Sequence, residues 1–194
     1  MDNHELMAIS PIDGRYKKYT KALDQFFSEM ALMKYRTQVE IRYLIALSKH
    51  PQIGARKLTP QEHYLLDDIG NTFSIADARI IKTIEEEGCG SIKRTNHDVK
   101  AVEYFLRMRL DKTTLSDLTQ WIHFGLTSED VNNLAYGLML VGAFYWIIIP
   151  ELRKTYSLLH SLALTHQALP MLARTHEQPA SPPTLGKEFR NTAS

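Results

Sequence analysis

Residues 127–150 read TSEDVNNLAYGLMLVGAFYWIIIP, and this stretch decides the fold class. Its polar opening is typical of a helix start, and the apolar residues behind it cover almost the whole circumference of a helix: Leu134, Leu138, Met139, Leu140, Val141, Phe144, Tyr145, Trp146, Ile147, Ile148 and Ile149. A helix that is apolar on every side must be covered on every side. The 16 residues at 134–149 are fewer than the ~20 that span a bilayer, so they predict a buried core helix and no membrane partner. We expect this helix to continue to about Ala168, with a kink at Pro150.

Upstream of this stretch, helix signals recur while strand signals are scarce. Apolar residues keep three- and four-residue spacing over about 23–48, which predicts a first long helix. A capping box of Thr59 and Glu62, with Pro60 at the first helical position, predicts the start of a second helix. Further helices are predicted from Ser74 to Gly88, from His97 through Leu106, and around 115–122. The sequence therefore predicts an all-α fold.

The composition changes near Asp111, where a mixed, charged region gives way to apolar helical material. A chain of 194 residues is long enough for one small domain and part of a second. We therefore predict an N-terminal helical domain over 1–111 and the first part of a central helical-bundle domain over 112–194.

Composition and charge exclude several classes of protein. The 23 basic and 22 acidic residues nearly cancel and form no block of like charge, so we expect no nucleic-acid partner. The lone cysteine, Cys89, excludes an intramolecular disulfide and fits a reducing compartment. The polar opening Met1–Glu5 lacks the order of a signal peptide, so a cytoplasmic protein is expected.

Four polar segments interrupt the helical pattern, and each lies at or near a helix start: SPIDGRY at 10–16, RTNHD at 94–98, TSED at 127–130 and RTHEQPAS at 174–181. The first backbone N–H groups of a helix lack partners and its N-terminus is positive, so Thr127 and Ser128 fit a site for a carboxylate or phosphate. The spacing alone favours a plain capping box that joins Thr127 to Asp130.

Histidine titrates near neutral pH, so His97 and His176 fit either proton transfer at a reacting centre or structural hydrogen bonding. Arg15 fits either a bidentate contact to an anion or an ordinary surface position. None of the eight histidines has the spacing of a metal site, so no metal is expected. Dinucleotide-binding, Walker and Gly-x-Ser-x-Gly motifs are also absent from the sequence.

Together and in this order, the four segments resemble the adenylosuccinate lyase family of the fumarase/aspartase superfamily, and its bacterial branch in particular. The agreement covers essentially the whole chain and is strongest in five stretches: 10–16, 95–106 (TNHDVKAVEYFL), 127–133 (TSEDVNN), 174–182 (RTHEQPASP) and 186–188 (GKE). The resemblance implies the N-terminal portion of such a lyase. It also implies an all-α fold and a homotetramer whose helical bundle covers the apolar helix.

The family cleaves adenylosuccinate to AMP and fumarate, and it cleaves the related succinyl-carboxamide ribotide of purine biosynthesis, by β-elimination without a cofactor. The resemblance implies that His176 is the general acid that protonates the leaving nitrogen. It implies substrate-binding roles for Arg15, Tyr16, Asn96, His97, Asp98, Thr127 and Ser128. Of these, Thr127 and Ser128 bind a substrate carboxylate. Arg15 and Tyr16 bind the phosphate end of the nucleotide.

Two departures from the family bear on activity. The family usually has glycine after the acid, where this chain has Glu177, and a backbone geometry that suits only glycine would strain that residue. The mobile Ser-Ser-x-Met-Pro-x-Lys-x-Asn loop, whose serine is the base, is absent from the 194 residues. Because active sites in the family draw on three subunits, we expect this chain alone to be inactive. The open alternatives are a non-catalytic lyase-like helical module that acts through oligomerisation, and a sister activity on argininosuccinate or in fumarate chemistry.

Overall fold

The computed structural model describes residues 6–194, so Met1–Glu5 and the prediction about a signal peptide lie outside the described residues. The α-helices are α1 Lys17–Thr20, α2 Asp24–Phe27, α3 Glu29–Lys49, α4 Pro60–Asn71, α5 Ile75–Glu86, α6 Asp98–Leu110, α7 Ser128–Ala143, α8 Ile149–Thr165 and α9 Leu185–Ala193. Short 3-10 helices cover Lys21–Leu23 and Ser116–Trp121, and a π-helical turn covers Phe144–Ile148. Two small antiparallel hairpins pair β1 Gly88–Cys89 with β2 Ile92–Lys93, and β3 Ala173–Thr175 with β4 Gln178–Ala180. The predicted all-α class is confirmed.

The chain divides into two compact units, one that ends at Gly142 and one that covers Ala143–Ser194. In the first unit, α3, α4, α5 and α6 enclose the main core, whose largest fully buried side chains include Met33, Leu44, Leu66, Ile81, Ile84, Phe105, Leu106 and Leu110. Leu110 and Leu115 flank the predicted domain boundary and both belong to this core. Within this unit the packing thus continues across the predicted boundary near Asp111. That boundary stays a prediction.

A second, smaller cluster of buried apolar side chains lies where two helices begin. Val39 of α3, Val99 of α6 and Val131 and Ala135 of α7 pack together and are all buried. Val99 lies in the first turn of α6 and Val131 in the first turn of α7. Apolar packing therefore brings the starts of these two helices together against α3.

The first long helix differs from its prediction. The expected helix over 23–48 is interrupted at Ser28, whose backbone is extended with ψ 162°. The Ser28 hydroxyl oxygen accepts a hydrogen bond from the Ala31 backbone N–H at 3.1 Å, which caps a new helix. The apolar spacing continues across this break, so spacing alone could not reveal it.

The Thr59–Glu62 capping box is confirmed, and the buried Glu62 carboxylate also forms an ion pair with the half-exposed Arg56. Both guanidinium nitrogens Nη1 and Nη2 of Arg56 donate to the Glu62 carboxylate, at 2.9 and 2.8 Å. Arg56 also binds the Asp117 carboxylate through Nε at 2.7 Å. The hydrogen bonds from Arg56 outweigh the effect of burial and hold the pKa of Glu62 at about 2.

Pro150 does not break the long helix, because a π-helical turn precedes it. Proline has no N–H, and its ring crowds the carbonyl four residues earlier. Here the Ile149 backbone N–H donates to the Phe144 carbonyl five residues back, so the wider turn makes room for the proline. The residues from Ser128 to Thr165 are helical throughout, and the predicted end near Ala168 was three residues too late.

The same helix, Ser128–Thr165, is long and apolar enough by length and composition to cross a membrane. Within this chain, 17% of its most apolar 18-residue window is buried. The helix is thus largely exposed in the chain by itself, and the prediction that a tetramer covers it on every side stays a prediction. Its side chains at Val141, Tyr145 and Trp146 are 64%, 69% and 72% exposed.

Candidate active site

His97 caps the N-terminus of α6 and is held in one orientation there. Its backbone is extended, with φ −152°, and its ring nitrogen Nδ1 accepts a hydrogen bond from the Lys100 backbone N–H at 3.2 Å. The Thr95 hydroxyl donates to the His97 carbonyl at 3.0 Å, which fixes the preceding turn. Because Nδ1 is the acceptor, a neutral His97 carries its proton on Nε2.

Ser128 lies beside His97, although 31 residues separate them in the sequence. The distance from His97 Nε2 to the Ser128 hydroxyl oxygen is 3.3 Å. If Nε2–H donates to this oxygen, the Ser128 hydroxyl keeps its own proton for another acceptor. The first backbone N–H groups of α7 are nearby and lack helical partners. This arrangement suits a carboxylate or phosphate that approaches the start of α7.

Thr127 is engaged differently from Ser128. Its backbone N–H and its hydroxyl both donate to one carboxylate oxygen of Asp130, at 2.7 and 3.0 Å. The same pattern joins Ser74 to Asp77 at the start of α5, at 2.9 and 2.8 Å. The backbone and hydroxyl hydrogen bonds from Thr127 also lower the pKa of Asp130. The capping interpretation therefore fits the Thr127 hydroxyl, whereas the Ser128 hydroxyl is the better placed donor for an anion.

Asp98 binds a buried arginine. Its Oδ2 lies 2.7 Å from Nη2 of Arg36, and its Oδ1 accepts from the Val99 backbone N–H at 2.8 Å. Burial opposes ionisation of Asp98, but the Val99 hydrogen bond and the Arg36 charge outweigh it, so the pKa of Asp98 lies below its ordinary value. Both carboxylate oxygens of Asp98 are thus engaged by Arg36 and Val99, and its role in the substrate site stays a prediction.

Asn96 precedes His97 in the left-handed region, with φ 52°, which asparagine tolerates better than most residues. Its backbone N–H donates to the Glu85 carbonyl at 3.0 Å, which ties the loop to the end of α5. Its contribution here is therefore to the path of the loop, and its predicted contact with substrate stays a prediction.

Two buried charged residues of α3 were missed by the sequence analysis. Arg36 contacts Asp98, and Glu40, one helical turn further on, contacts His123. The Glu40 carboxylate lies 2.5 Å from His123 Nδ1 and accepts from the His123 backbone N–H at 3.1 Å. Burial raises the pKa of Glu40, although the His123 hydrogen bonds oppose this. A charged pair at i and i+4 on the apolar face of this helix was the available signal.

Arg15 and Tyr16 lie on an exposed turn of the first unit. The turn is closed by backbone hydrogen bonds from Gly14 to the Ser10 carbonyl and from Tyr16 to the Pro11 carbonyl, at 3.0 and 2.9 Å. The two predicted phosphate ligands line a shallow cavity of about 330 Å³ there. Among residues 6–194, no hydrogen bond or ion pair joins them to the His97 segment, so their role stays a prediction.

His176 belongs to the second unit, at the tip of the β3–β4 hairpin. The pair Thr175–Gln178 closes a loop of two residues, His176 and Glu177, with φ 46° and 64°. Positive φ at both positions is the geometry of a type I′ turn, in which glycine is preferred at the second position. The exposed His176 ring is thus carried on a short, well-defined turn. Glu177 occupies the left-handed conformation that the sequence analysis named as a condition for strain.

We predict that Glu177→Gly stabilises this hairpin by about 1 kcal/mol. A left-handed residue other than glycine costs ~1–2 kcal/mol, and the greater freedom of glycine in the unfolded chain offsets part of the gain. Hydrogen exchange of the hairpin amides should therefore slow in the variant. The matched control is Glu188→Gly inside α9, which should weaken its own helix by about 1 kcal/mol. Faster exchange of the hairpin in Glu177→Gly would contradict the prediction.

Comparisons with known proteins agree with this architecture. The family model described as Lyase matches residues 14–194. The chain is 44% identical over 195 residues to adenylosuccinate lyase of Vibrio cholerae serotype O1, covering 100% of this chain and 41% of that protein. Identity to adenylosuccinate lyase of Dictyostelium discoideum is 45% over 191 residues, which cover 96% of this chain and 40% of that protein. Identity to adenylosuccinate lyase of Escherichia coli K12 is 43% over 195 residues, which cover 100% of this chain and 41% of that protein. The chain thus spans about 40% of the length of these curated relatives.

Two solved structures share the fold. One is the 3-carboxy-cis,cis-muconate lactonizing enzyme from Pseudomonas putida, with TM-score 0.58 and 20% identity over 89% of this chain and 36% of that chain. The other is the β-carboxy-cis,cis-muconate cycloisomerase from Acinetobacter calcoaceticus sp. ADP1, with TM-score 0.59 and 21% identity over 89% and 37%. At this identity the likeness concerns the fold alone. Because the Lyase model matches residues 14–194, nearly the whole chain, the chain belongs to the Lyase family.

Proposed function

We propose that the protein encoded by the complete reading frame is an adenylosuccinate lyase. It would eliminate fumarate from adenylosuccinate, giving AMP, and from the succinyl-carboxamide ribotide of purine biosynthesis. The observation that carries this proposal is the 3.3 Å approach of His97 Nε2 to the Ser128 hydroxyl oxygen at two neighbouring helix starts. Such a pair places a hydroxyl donor and unpaired backbone N–H groups where one carboxylate of a succinyl group could bind.

The proposed reaction needs a base, an anion site and an acid. A base removes a proton from the carbon beside a succinyl carboxylate, and the resulting negative charge spreads into that carboxylate. Ser128 and the N-terminus of α7 would bind a carboxylate through the electrostatics described above. The carbon–nitrogen bond then breaks, and the imidazolium of His176 would give its proton to the departing nitrogen. Arg15 and Tyr16 would bind the nucleotide phosphate, and the base would come from residues outside these 194.

We also propose that the protein is a homotetramer in the cytoplasm. The long helix supports self-association, because large apolar side chains remain exposed along it, including Leu134, Leu138 and Tyr145, whereas the number of subunits is what the resemblance implies. Monomeric soluble proteins rarely expose an apolar patch of more than a few hundred Å². Copies of the same chain that bundle through this helix would cover that surface.

The test is an assay of the complete protein with three succinyl substrates. We expect stoichiometric fumarate and AMP from adenylosuccinate, fumarate from the succinyl-carboxamide ribotide, and no fumarate from argininosuccinate. The 194-residue chain, assayed in parallel, should show no measurable turnover. Fumarate from argininosuccinate alone would indicate the sister activity. A complete protein that self-associates but releases no fumarate from any of the three would indicate the non-catalytic helical module.

A further inference from the structure

Arg36 is a buried arginine whose contacts reach both helix starts of the candidate site. Its side chain is 3% exposed, and it projects from the middle of α3. Nη2 lies 2.7 Å from the Asp98 carboxylate in α6, and Nε donates to the Asn132 side-chain oxygen in α7 at 2.9 Å. Nη1 is buried and has no hydrogen-bond partner within the described residues.

Stability gives little reason for an arginine at this position. Removing a guanidinium from water is costly, and Asp98, its one carboxylate partner among residues 6–194, is 44% exposed. The unpaired Nη1 adds the desolvation cost of an unmet hydrogen bond. An apolar side chain of similar volume often replaces a buried ion pair at no loss of stability. A residue that is costly to bury, yet joins two segments of a site, indicates a role in the site.

The geometry of the two partners shows what the arginine could hold. Asp98 directly follows His97, and Asn132 lies one helical turn after Ser128. The Asn132 side-chain amide also donates to the Glu129 carboxylate at 2.9 Å, which fixes its oxygen toward Arg36. The rigid guanidinium plane therefore sets the distance between the starts of α6 and α7.

We propose that Arg36 is a positioning residue that sets the distance between the His97 imidazole and the Ser128 hydroxyl. It acts through Asp98 on one side and Asn132 on the other, and it does not contact the substrate. The catalytic consequence of this assignment depends on the proposed lyase function. Its structural consequence, a fixed His97–Ser128 contact, is independent of the lyase function.

Arg36→Met, made in the complete protein, tests the proposal. The methionine should pack in the core, so the protein should remain folded, while kcat/KM for fumarate release should fall by about 10- to 100-fold from misplacement of the site. Arg36→Lys should not restore it, because an ammonium is a point charge and cannot contact both partners in fixed directions. The matched control is Arg56→Met, which removes the ion-pair partner of the buried Glu62 away from the site. It should lower the free energy of unfolding while leaving kcat/KM of the folded protein within about twofold of wild type.

A second measurement separates failure of this proposal from failure of the proposed function. Imidazole NMR should show His97 in wild type as one tautomer with the proton on Nε2, and as averaged tautomers in Arg36→Met. If Arg36→Met does not fold, Asn132→Ala removes one contact only and should shift the same His97 signals in the same direction. Unchanged His97 signals together with unchanged kcat/KM would overturn the proposal. If wild type releases no fumarate, the lyase proposal fails, and unchanged His97 signals alone would then overturn the role of Arg36.

Discussion

Replacing His176 with alanine in the complete protein is expected to lower kcat for fumarate release by about 100- to 10,000-fold, the usual contribution of a general acid. The leaving nitrogen would depart without a proton donor, which raises the barrier for breaking the carbon–nitrogen bond. If the imidazole acts only in the transition state, kcat and kcat/KM should fall by the same factor. Steady-state assays over a range of adenylosuccinate concentrations measure both.

The structure makes this substitution a clean test. His176 is exposed at the tip of a two-residue turn, so its removal deletes no core packing. The matched control is His160→Ala, which removes another exposed imidazole of the same unit, one that stacks on Tyr156 with ring centroids 5.8 Å apart. The control should keep kcat within about twofold of wild type, as expected for a surface substitution. A His176→Ala enzyme with nearly full kcat would show that another group is the acid.

Local chemistry explains which parts of the fold were predictable. The helix starts at Thr59, Ser74 and His97 were found because a cap is a contact within four residues, which the sequence displays directly. The conflict at Glu177 came instead from the resemblance, since the family usually has glycine there, and the structure gives this residue a left-handed backbone with φ 64°. The left-handed backbone at position 177 meets the condition for strain, and glutamate suits that conformation poorly.

The missed features depend on contacts between distant segments. Arg36 and Asp98 are 62 positions apart in the sequence, and Glu40 and His123 are 83 positions apart, so no local pattern could pair them. The turn before Pro150 was also missed, because whether a proline kinks a helix depends on how the backbone before it rearranges. Thr127 and Ser128 were predicted together, and two contacts distinguish their hydroxyls, that of Thr127 with Asp130 and that of Ser128 with His97.

The apolar side of α7 gives the second large expected effect. Leu134, Leu138 and Val141 follow the spacing i, i+4 and i+7, so they share one face of the helix, and they are 60%, 46% and 64% exposed. We expect the complete protein to be a tetramer in solution. The double variant Leu134→Glu, Val141→Glu should disrupt this association and raise the dissociation constant by at least about 10,000-fold.

The size of that effect follows from the symmetry of homo-oligomers. Burying one large apolar side chain contributes ~1.5–3 kcal/mol, and a two-fold interface contains each substituted position twice. Two substitutions therefore remove about 6 kcal/mol or more before the cost of burying four carboxylates is added. Sedimentation velocity over a range of protein concentrations measures the change, with Arg153→Glu at an exposed polar position of α8 as the control that should remain tetrameric. A wild-type protein that stays a stable monomer at all concentrations would contradict the bundle, because water would then face an apolar surface that soluble monomers rarely expose.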